Sequence, residues 1–592
     1  MLKFWFGHRA NGNRLFIIGA GVFALLLSAC TPTTEQREAY EPEAATGWET
    51  RTATTAQQHM VAAANPLAVE AGLAVLREGG TAIDAAVAVQ AMLTLVEPQS
   101  SGIGGGAFLL YWDNESQQLH SLDARETAPM AATPELFLDD EGNAPRWIDA
   151  VVGGRSVGTP SVMRGLEAAH QRWGQLQWSR LFDESIALAD AGFEVSPRLA
   201  QLIALEFNPG LGKMPASRAY FFPDGQPLQA GQRRDNPELA NTFRALAEQG
   251  ADALHTGPIA EDIVRAVQES PIAPGLLSME DLAAYQPVWR EPVCGRYRVY
   301  QICSMGPPSS GGITLLQTMG LLEPFALHQL PVNGEEALHY FTQASRLAFA
   351  DRNRYIADED YVEVPLTALL DRDYLAIRSQ LIGERDMGLA QPGELADLAR
   401  SDDQSLELPS TSHFSIIDQY GNAVSMTTTI EMGFGSTVMT RGFLLNNQLT
   451  DFSLVPEVDG VPVANRVEPG KRPRSSMSPV IVFSGEDKEL LHVLGSPGGP
   501  RIINYVTQTL IGVLDWDLDI QQAMDLPRVT NMNGVTSLET DANMEAIQQA
   551  LEARGHRVEI RSLNSGLHGI SVTADGLVGG ADPRREGSAQ GD

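Results

Sequence analysis

Residues 408–431 read LPSTSHFSIIDQYGNAVSMTTTIE, and this stretch decides how the whole chain is interpreted. Two largely apolar and β-branched runs, His413–Asp418 and Ala423–Ile430, are separated by the turn residues QYGN, which predicts a pair of strands. Just before the first strand, three hydroxyl residues stand in a row at Ser410–Ser412, where a turn needs only one. Taken alone, this cluster is typical of a polar turn, so any further function has to be inferred from the remainder of the sequence.

Outside this stretch the sequence predicts helices and antiparallel strands in layers. Ala-rich helical patterns occupy most of Thr55–Glu97, and AFLLYWD and QLHSLDAR then form a predicted strand pair. The pattern from about Pro160 to Tyr285 is mostly helical. After Thr411 the predicted elements are strands at 443–446, 479–484 and 490–494, helices from Arg501 and from Asp519, and strands near Val558 and Ile570. We find no internal repeat, and this order favours layered α/β packing over a βαβ series.

The composition is that of a folded protein and argues against some partners. The chain has 592 residues, of which 43% are hydrophobic and 20% charged, enough for more than one simple core. Its formal net charge is −32 at pH 7, whereas binding to a phosphate backbone or an anionic lipid surface requires a basic face. The composition therefore indicates an acidic, solvated surface and no nucleic-acid partner. Adaptation to salt is an open alternative explanation for the acidic surface.

Residues 1–30 are predicted to be an export signal rather than part of the fold. A cationic start precedes the apolar run Leu15–Leu27, which is shorter than the ~20 residues that a membrane span needs. The run ends in LSAC, which resembles a bacterial lipoprotein cleavage site and makes Cys30 the predicted lipidated residue; an ordinary secretory signal is the alternative. The Thr that follows Cys30 favours the outer membrane, and residues 31–50 read as a flexible tether. We therefore expect an exported, periplasmic protein held by a lipid anchor.

The other two cysteines, Cys294 and Cys303, lie in CGRYRVYQIC, which alternates like a hairpin. If the turn falls at Arg298 and Val299, the cysteines face each other across the strands, and an exported protein can form a disulfide there. Two unpaired cysteines packed as small apolar side chains are the alternative. No histidine or third cysteine stands nearby at ligand spacing, so no metal site is predicted.

Several separated segments call for one common explanation: LDARETAP, GPPSSGG, STSHFSIID, TTTIEMGFG, LLNNQLTDFS, GKRPRSSMSP and GSPGGPRII. No P-loop accompanies them. Together they resemble the gamma-glutamyltransferase (glutathione hydrolase) family of N-terminal-nucleophile hydrolases, over nearly the whole chain after the tether. The resemblance implies an α/β (α+β) fold, a four-layer αββα sandwich, and a precursor that cuts itself between Ser410 and Thr411. The expected products are a large subunit, residues 51–410, and a small catalytic subunit, residues 411–592.

Self-cleavage would explain the crowded hydroxyl groups, because it makes Thr411 the first residue of a chain. A threonine hydroxyl is a weak nucleophile until a base takes its proton, and a free α-amine with a pKa of ~7.7–8.0 supplies that base. The resemblance further implies that Thr429 hydrogen-bonds and orients the nucleophile. It assigns the backbone N–H groups of Gly498 and Gly499 to the oxyanion that develops when a carbonyl group is attacked.

A γ-glutamyl group carries an α-carboxylate and an α-ammonium, and a buried zwitterion requires opposite charges and hydrogen bonds at both ends. The resemblance gives the carboxylate to Arg125, whose guanidinium suits bidentate geometry, and to the hydroxyl groups of Ser475 and Ser476. It gives the ammonium to Asp451. The other two predicted binding residues, beside Asp451, are Glu431 and Gln448.

The implied reaction has two steps and requires no cofactor. Thr411 attacks the γ-carbonyl of a donor such as glutathione or glutamine, and water or the amine of an amino acid or peptide then releases the γ-glutamyl group. The sequence departs from the family pattern in places, and the short lid segment among these departures bears on the second step. Ser412 stands where Thr is common, and residues 454–470 form a short segment without Tyr, Phe or Trp, where relatives carry a lid with an aromatic residue. The preferred donor and acceptor therefore stay open.

Two other functions compete with this interpretation. An acylase of the same superfamily, acting on glutaryl or cephalosporin-type substrates, would share the nucleophile but would not need to recognise an ammonium group. An exported lipoprotein that only binds amino acids or peptides would carry a damaged nucleophile or oxyanion loop, and the sequence shows neither. The joint presence of Arg125, Glu431 and Asp451 favours γ-glutamyl chemistry over the acylase.

Overall fold

The structure, a computed structural model, describes residues 48–395, 400–403, 405, 408, 410–485, 488–540 and 544–592. The predicted signal peptide, the lipidation site at Cys30 and all but the end of the predicted tether lie outside the described residues. Within them, no helix has both the length and the apolar character needed to cross a bilayer.

Two seven-stranded antiparallel sheets form the centre of the protein. The first has the order β1-β22-β21-β17-β16-β9-β8 and the second the order β23-β2-β10-β11-β3-β4-β7. In chain order the described strands are β1 (Thr54–Ala56), β2 (Met60–Ala63), β3 (Gly106–Asp113), β4 (Gln118–Ala124), β5 (Phe193–Glu194), β6 (Arg233–Arg234), β7 (Val288–Arg290), β8 (Val293–Tyr297), β9 (Tyr300–Ser304), β10 (Ser412–Ile417), β11 (Ala423–Thr429), β12 (Met439–Thr440), β13 (Phe443–Leu444), β14 (Glu457–Val458), β15 (Val461–Pro462), β16 (Val480–Ser484), β17 (Leu490–Gly495), β18 (Val529–Thr530), β19 (Thr536–Glu539), β20 (Val558–Arg561), β21 (His568–Thr573), β22 (Gly576–Ala581) and β23 (Ser588–Gly591).

Helices cover the outer face of each sheet. They are α1 (Pro66–Arg77), α2 (Ala82–Val96), α3 (Trp147–Ala150), α4 (Val162–Trp173), α5 (Asp183–Ala191), α6 (Pro197–Leu205), α7 (Pro215–Phe221), α8 (Pro237–Gln249), α9 (Gly257–Gln268), α10 (Met279–Ala284), α11 (Gly311–Leu322), α12 (Glu335–Tyr355), α13 (Leu366–Leu369), α14 (Arg372–Ser379), α15 (Ile502–Leu514), α16 (Ile520–Asp525) and α17 (Met544–Ala553). Local signals set several of their starts: α2, for example, begins with a capping box in which Thr81 and Asp84 hydrogen-bond each other's backbone N–H groups.

Three apolar layers hold the sheets and helices together. One lies between the two sheets and includes Trp112, Phe483 and Ile570. A second packs α1 and α2 and their neighbours against the sheet that contains β10, and a third packs α11, α12 and α15 against the sheet that contains β16. The result is helix, sheet, sheet, helix, which confirms the predicted four-layer αββα sandwich.

The structure corrects one sequence prediction and shortens another. The segment predicted as helical from Thr55 begins instead with β1 and β2, and the helices follow from Pro66. Ala-rich residues form a strand there because β2 pairs with β10 on one side and β23 on the other, so tertiary pairing outweighs local propensity. The strand predicted at 443–446 extends only over β13, Phe443–Leu444.

The hairpin that contains the cysteines has the predicted register. Cys294 in β8 lies directly opposite Cys303 in β9, and Tyr297 pairs with Tyr300, so the turn falls at Arg298 and Val299. A disulfide joins the two cysteines. The structure thus has the disulfide rather than two unpaired cysteines. The disulfide links the two strands of a hairpin at the edge of its sheet.

Both sheets mix strands from the two sides of the predicted cleavage site. The sheet that contains β10 takes β2, β3, β4 and β7 from before Thr411 and β10, β11 and β23 from after it. The other sheet likewise combines β1, β8 and β9 with β16, β17, β21 and β22. Cutting the chain before Thr411 would therefore leave two interleaved pieces, which cannot separate without breaking both sheets.

Candidate active site

Thr411 lies at the start of β10, in the middle of its sheet, where β11 runs antiparallel beside it. Because Ser412 pairs with Thr428, Thr411 comes next to Thr429 at the end of β11. The Thr411 hydroxyl donates to the Thr429 Oγ1 atom at 3.1 Å, and Thr429 Oγ1 also accepts from the Glu431 backbone N–H at 2.8 Å. The register of the sheet thus places the two threonines at hydrogen-bonding distance, as predicted from the sequence.

The backbone at the predicted cleavage site is strained in the uncut chain. Thr411 has φ 107°, although a β-branched residue is a genuine outlier at positive φ. Conformations of this kind cost about 1–3 kcal/mol and persist only when the surroundings enforce them. Here Ser410, fully buried, donates its hydroxyl to the Gln99 carbonyl at 3.0 Å, which holds the residue on the other side of the bond.

A small cavity lies beside Thr411 and is lined by nearly all the predicted site residues. Nine of the ten predicted catalytic and binding residues line it, and the tenth, Gly498, is the chain neighbour of a lining residue. Three apolar side chains that the sequence did not single out complete the wall. The lining residues are Arg125, Leu408, Thr411, Thr429, Glu431, Gln448, Asp451, Ser475, Ser476, Met477, Gly499 and Ile502.

Arg125 and Asp451 pair directly with each other in this cavity. The Arg125 Nη2 atom donates to Asp451 Oδ2 at 2.5 Å, and the Gln448 side-chain amide donates to the same oxygen at 2.7 Å. The Arg125 side chain also donates to the backbone carbonyls of Pro473 and Arg474. A ligand with adjacent carboxylate and ammonium groups can replace this ion pair by two new ones, because each end meets the opposite charge.

Two further buried acids surround this ion pair. Burial, and secondly the charge of Asp451, hold the pKa of Glu431 well above its usual range. Glu126, adjacent to Arg125 in sequence, is fully buried, and burial raises its pKa to about 8 although the Arg125 charge opposes that shift. Burial thus favours the protonated form of both side chains, and a cationic ligand next to Glu431 would favour its ionisation.

The serines opposite have fixed acceptor roles towards the protein. The Ser475 Oγ atom accepts from the Met477 backbone N–H at 3.1 Å, and the Ser476 Oγ atom accepts from Arg352 Nη2 at 2.6 Å. A hydroxyl group has a single hydrogen to donate, and neither of these two contacts uses it. Carboxylate oxygens can accept such a hydrogen.

Gly498 and Gly499 form the turn between β17 and α15. Their φ angles are 139° and 56°, and a Cβ atom added to Gly498 would lie 2.8 Å from the Tyr505 ring. Only glycine suits these positions without strain or rearrangement. Within the described residues neither backbone N–H donates to another protein group, and Gly499 lines the cavity with Thr411. Two available N–H groups beside a nucleophile are what an oxyanion requires.

The short segment 454–470 folds as a surface hairpin, with β14 paired to β15. Its anchor is Asn465, whose side-chain amide donates to the Asp451 carbonyl at 2.7 Å and to Asp403 Oδ2 at 2.8 Å. No residue of this segment is among the described residues that line the cavity. The hairpin supports Asp451 from behind, and its effect on the choice of acceptor stays a prediction.

Sequence reasoning missed two kinds of residue at this site. Leu408, Met477 and Ile502 line the cavity, but an apolar residue gives no sequence signal that separates a site wall from a core. Glu126 and Arg352 contact the predicted site residues from behind. Glu126 could have been noticed as a second acid in LDARETAP, whereas Arg352 lies on a helix far away in the sequence and reaches the site only through folding.

A fold of this kind with a threonine at the start of a central strand defines the protein as an N-terminal-nucleophile hydrolase. The chain belongs to the gamma-glutamyltranspeptidase family, whose model matches residues 68–592. It is 37% identical to a glutathione hydrolase proenzyme of Bacillus subtilis strain 168, with 90% of this chain and 91% of that protein covered. It is 36% identical to the glutathione hydrolase proenzyme of Escherichia coli strain K12, with coverage of 89% and 91%.

Acylases are also among its relatives. The chain is 34% identical to the acylase ACY 1 proenzyme of Pseudomonas sp. strain SE83, over 88% of this chain and 91% of that protein. Among solved structures, cephalosporin acylase from Bacillus halodurans superimposes with a TM-score of 0.82 at 28% identity, covering 92% of this chain and 97% of that one. Helicobacter pylori gamma-glutamyltranspeptidase superimposes with a TM-score of 0.52 at 34% identity, covering 59% and 95%.

Proposed function

We propose that the protein is a self-cleaving γ-glutamyl hydrolase and transferase in which Thr411 is the nucleophile. One observation carries this proposal: a single cavity is lined both by Thr411 and by the Arg125–Asp451 ion pair, with Glu431. That arrangement fits a substrate with a scissile amide a few bonds from a zwitterion. The glutathione hydrolase relatives support the same reaction.

Self-cleavage would convert the precursor into the active form. The Thr411 hydroxyl attacks the carbonyl carbon of Ser410, the chain shifts from nitrogen to oxygen, and water hydrolyses the resulting ester. The products are a new carboxylate at Ser410 and a free α-amine on Thr411, and the large and small subunits stay together through the shared sheets. Leu408 forms part of the cavity wall in the uncut chain, so release of that segment would enlarge the site.

The proposed reaction on a donor uses the new α-amine as base. It takes the Thr411 hydroxyl proton as the oxygen attacks the γ-carbonyl, and the N–H groups of Gly498 and Gly499 receive the developing oxyanion. The amide C–N bond then breaks, the leaving amine takes the proton, and the γ-glutamyl group remains on Thr411 as an ester. Water or a second amine attacks that ester and regenerates the hydroxyl group.

The acylase relatives supply a second candidate function, and the acids at the cavity decide between the two. A glutaryl group has the terminal carboxylate of a γ-glutamyl group but no ammonium, so it would leave Asp451 and Glu431 without a cationic partner. We expect the mature protein to cleave γ-glutamyl-4-nitroanilide with a kcat/KM about 10²-fold or more above that for glutaryl-4-nitroanilide. Release of 4-nitroaniline measures both rates.

The other possible results of comparing the γ-glutamyl and glutaryl anilides lead to different assignments. A preference for the glutaryl compound would assign the protein to the acylases. If a correctly cut protein cleaves neither compound, both candidate functions are wrong and a binding role would regain support. Preparations of the Thr411→Ala variant provide the blank, because they retain the cavity but lack the nucleophile.

We also propose that the protein is exported and anchored to the outer membrane of a Gram-negative cell through a lipid on Cys30. The support is the sequence LSAC after an apolar run of signal-peptide length, followed by Thr and a polar tether. Replacing Cys30 by serine is expected to move the protein from the membrane fraction to the soluble periplasmic or precursor fraction. An unchanged distribution between the fractions would contradict lipidation at this residue.

A further inference from the structure

Arg352 reaches the candidate site without being part of its wall. It belongs to the last turn of α12 and is only 4% exposed. Its Nη2 atom donates to the Ser476 hydroxyl oxygen at 2.6 Å, and its Nε atom donates to the Ser310 hydroxyl oxygen at 2.8 Å. One guanidinium therefore contacts two separate hydroxyl groups, of which one lines the cavity.

The second contact extends to the other serine of the site. The Ser310 hydroxyl and backbone N–H each donate to the Ser475 carbonyl at 2.7 Å. Ser309 donates its hydroxyl to the Met477 carbonyl at 2.6 Å, and Met477 in turn donates its N–H to Ser475 Oγ. The loop that contains Ser309 and Ser310 thus holds the backbone on both sides of Ser476 in one position.

The direction of these hydrogen bonds follows from the chemistry of the guanidinium. An arginine side chain has five N–H donors and no acceptor, and it stays charged at every relevant pH. Ser476 must therefore act as an acceptor towards Arg352. This contact does not use the hydrogen of the Ser476 hydroxyl group. A lysine could not replace Arg352 fully, because its single nitrogen lacks the planar fork that reaches two oxygens in fixed directions.

We propose that Arg352 is a positioning residue that sets Ser475 and Ser476 as donors to the α-carboxylate of the substrate, and so determines the preference for donors that carry this carboxylate. This proposal rests on the proposed function, since it concerns the same cavity. Arg352 does not touch the reacting atoms, and its contacts lie on the side of the cavity that recognises the substrate. Its loss should therefore weaken substrate recognition much more than the chemical step.

The test compares Arg352→Lys and Arg352→Met with the parent protein on two donors. One is γ-glutamyl-4-nitroanilide, and the other is 4-aminobutanoyl-4-nitroanilide, which is identical except that it lacks the α-carboxylate. We expect KM for the γ-glutamyl donor to rise about tenfold or more, as for the loss of one hydrogen bond to a charged group, with kcat changed by less than about threefold. The kcat/KM for the 4-aminobutanoyl donor should stay nearly constant.

An equal loss of kcat/KM for the two donors would overturn the proposal, because a merely structural role affects both alike. So would an unchanged KM for the γ-glutamyl donor. If turnover of the 4-aminobutanoyl compound is too slow to measure, L-glutamate and 4-aminobutanoate serve as competitive inhibitors, and only the inhibition constant of L-glutamate should increase. If Arg352→Met does not fold, Arg352→Lys, which keeps the buried charge, gives the same comparison.

A matched control comes from the same turn of the helix. Arg354 pairs with Asp402 on the surface and is 30% exposed, so Arg354→Met should leave both donors unaffected. Intact mass shows whether each variant has cut itself, and an uncut Arg352→Lys protein would also overturn the proposal, since no Arg352 contact reaches Thr411. If the parent protein prefers glutaryl donors, the proposed function is wrong, but the role of Arg352 can still be tested. The comparison is then between glutaryl-4-nitroanilide and butanoyl-4-nitroanilide, which lacks the carboxylate.

Discussion

Replacing Thr411 by alanine is expected to leave one uncut chain without measurable γ-glutamyl hydrolase or transferase activity. The variant loses the hydroxyl that attacks Ser410 during self-cleavage and the hydroxyl that attacks the donor. Removing an active-site nucleophile has cost about 10⁶-fold in kcat in a well-studied protease, and here the α-amine base would also be missing because the chain is uncut. Intact mass and N-terminal sequencing measure the cut, and release of 4-nitroaniline measures the activity.

Two neighbouring variants act as controls for this result. Thr411→Ser retains a hydroxyl and, after cleavage, an α-amine, so it should cut itself and keep part of the activity. Ser412→Ala removes the next hydroxyl, which accepts from Ser101 at 3.1 Å within the sheet and does not line the cavity. It should be cut and active. An active Thr411→Ala protein, or a parent protein that folds but stays uncut, would contradict the mechanism.

The strain at Thr411 gives a physical reason to expect the cut at this bond. In the uncut chain, Thr411 is held at φ 107° between the buried Ser410 and the first residue pair of β10. Cleavage removes the peptide bond that defines this angle, so it releases the strain while β10 keeps its pairing. The conformation cost of about 1–3 kcal/mol then favours the products of self-cleavage rather than the precursor.

The sequence predicted the layers and most of the candidate site, because both depend on local patterns or on motifs. The two strands predicted on either side of QYGN are present as the antiparallel pair β10 and β11, and the GSPGG turn brings Gly499 to the same cavity as Thr411. Residue roles were transferred with the motifs, and the structure supplies their common location. Their catalytic functions stay predictions until they are measured.

The remainder could not be predicted, since it depends on contacts between distant parts of the chain. β2 is Ala-rich and becomes a strand only because β10 and β23 lie on either side of it. The raised pKa of Glu126 is a consequence of complete burial, which no local pattern reports. Arg352 precedes Ser476 by 124 residues, and no pattern in either segment predicts the hydrogen bond between their side chains.

The pairing of Arg125 with Asp451 also bears on the proposed function. Two opposite charges buried next to each other offset part of the cost of taking each of them out of water. A γ-glutamyl zwitterion must break this 2.5 Å contact to bind. Under the proposed function, recognition of the substrate would be an exchange of ion pairs, and it should depend on both members.

The variant Asp451→Asn tests this exchange of ion pairs. After Thr411→Ala, we expect it to cause the largest loss of activity. The substitution keeps the size of the side chain but removes the charge that meets the ammonium, and it leaves Arg125 without its ionic partner. Loss of one member of a buried charge pair costs about 2–5 kcal/mol, which corresponds to a fall in kcat/KM of about 30- to several thousand-fold. Steady-state rates with γ-glutamyl-4-nitroanilide measure it. Self-cleavage should persist, because Asp451 has no hydrogen bond to Thr411.

Asp515→Asn is the matched control, because Asp515 is also a buried acid paired with an arginine. It contacts Arg298 Nε at 3.2 Å and accepts from the Tyr297 hydroxyl at 2.6 Å, and it does not line the cavity. Its substitution should lower the free energy of unfolding by about 1–3 kcal/mol with little change in kcat/KM. If Asp451→Asn lowers stability alone and leaves kcat/KM intact, Asp451 is a structural residue and the ammonium must bind elsewhere. Both variants remove one buried carboxylate charge. If Asp451→Asn loses activity and Asp515→Asn does not, the loss therefore reflects recognition of the substrate and not the stability of the fold.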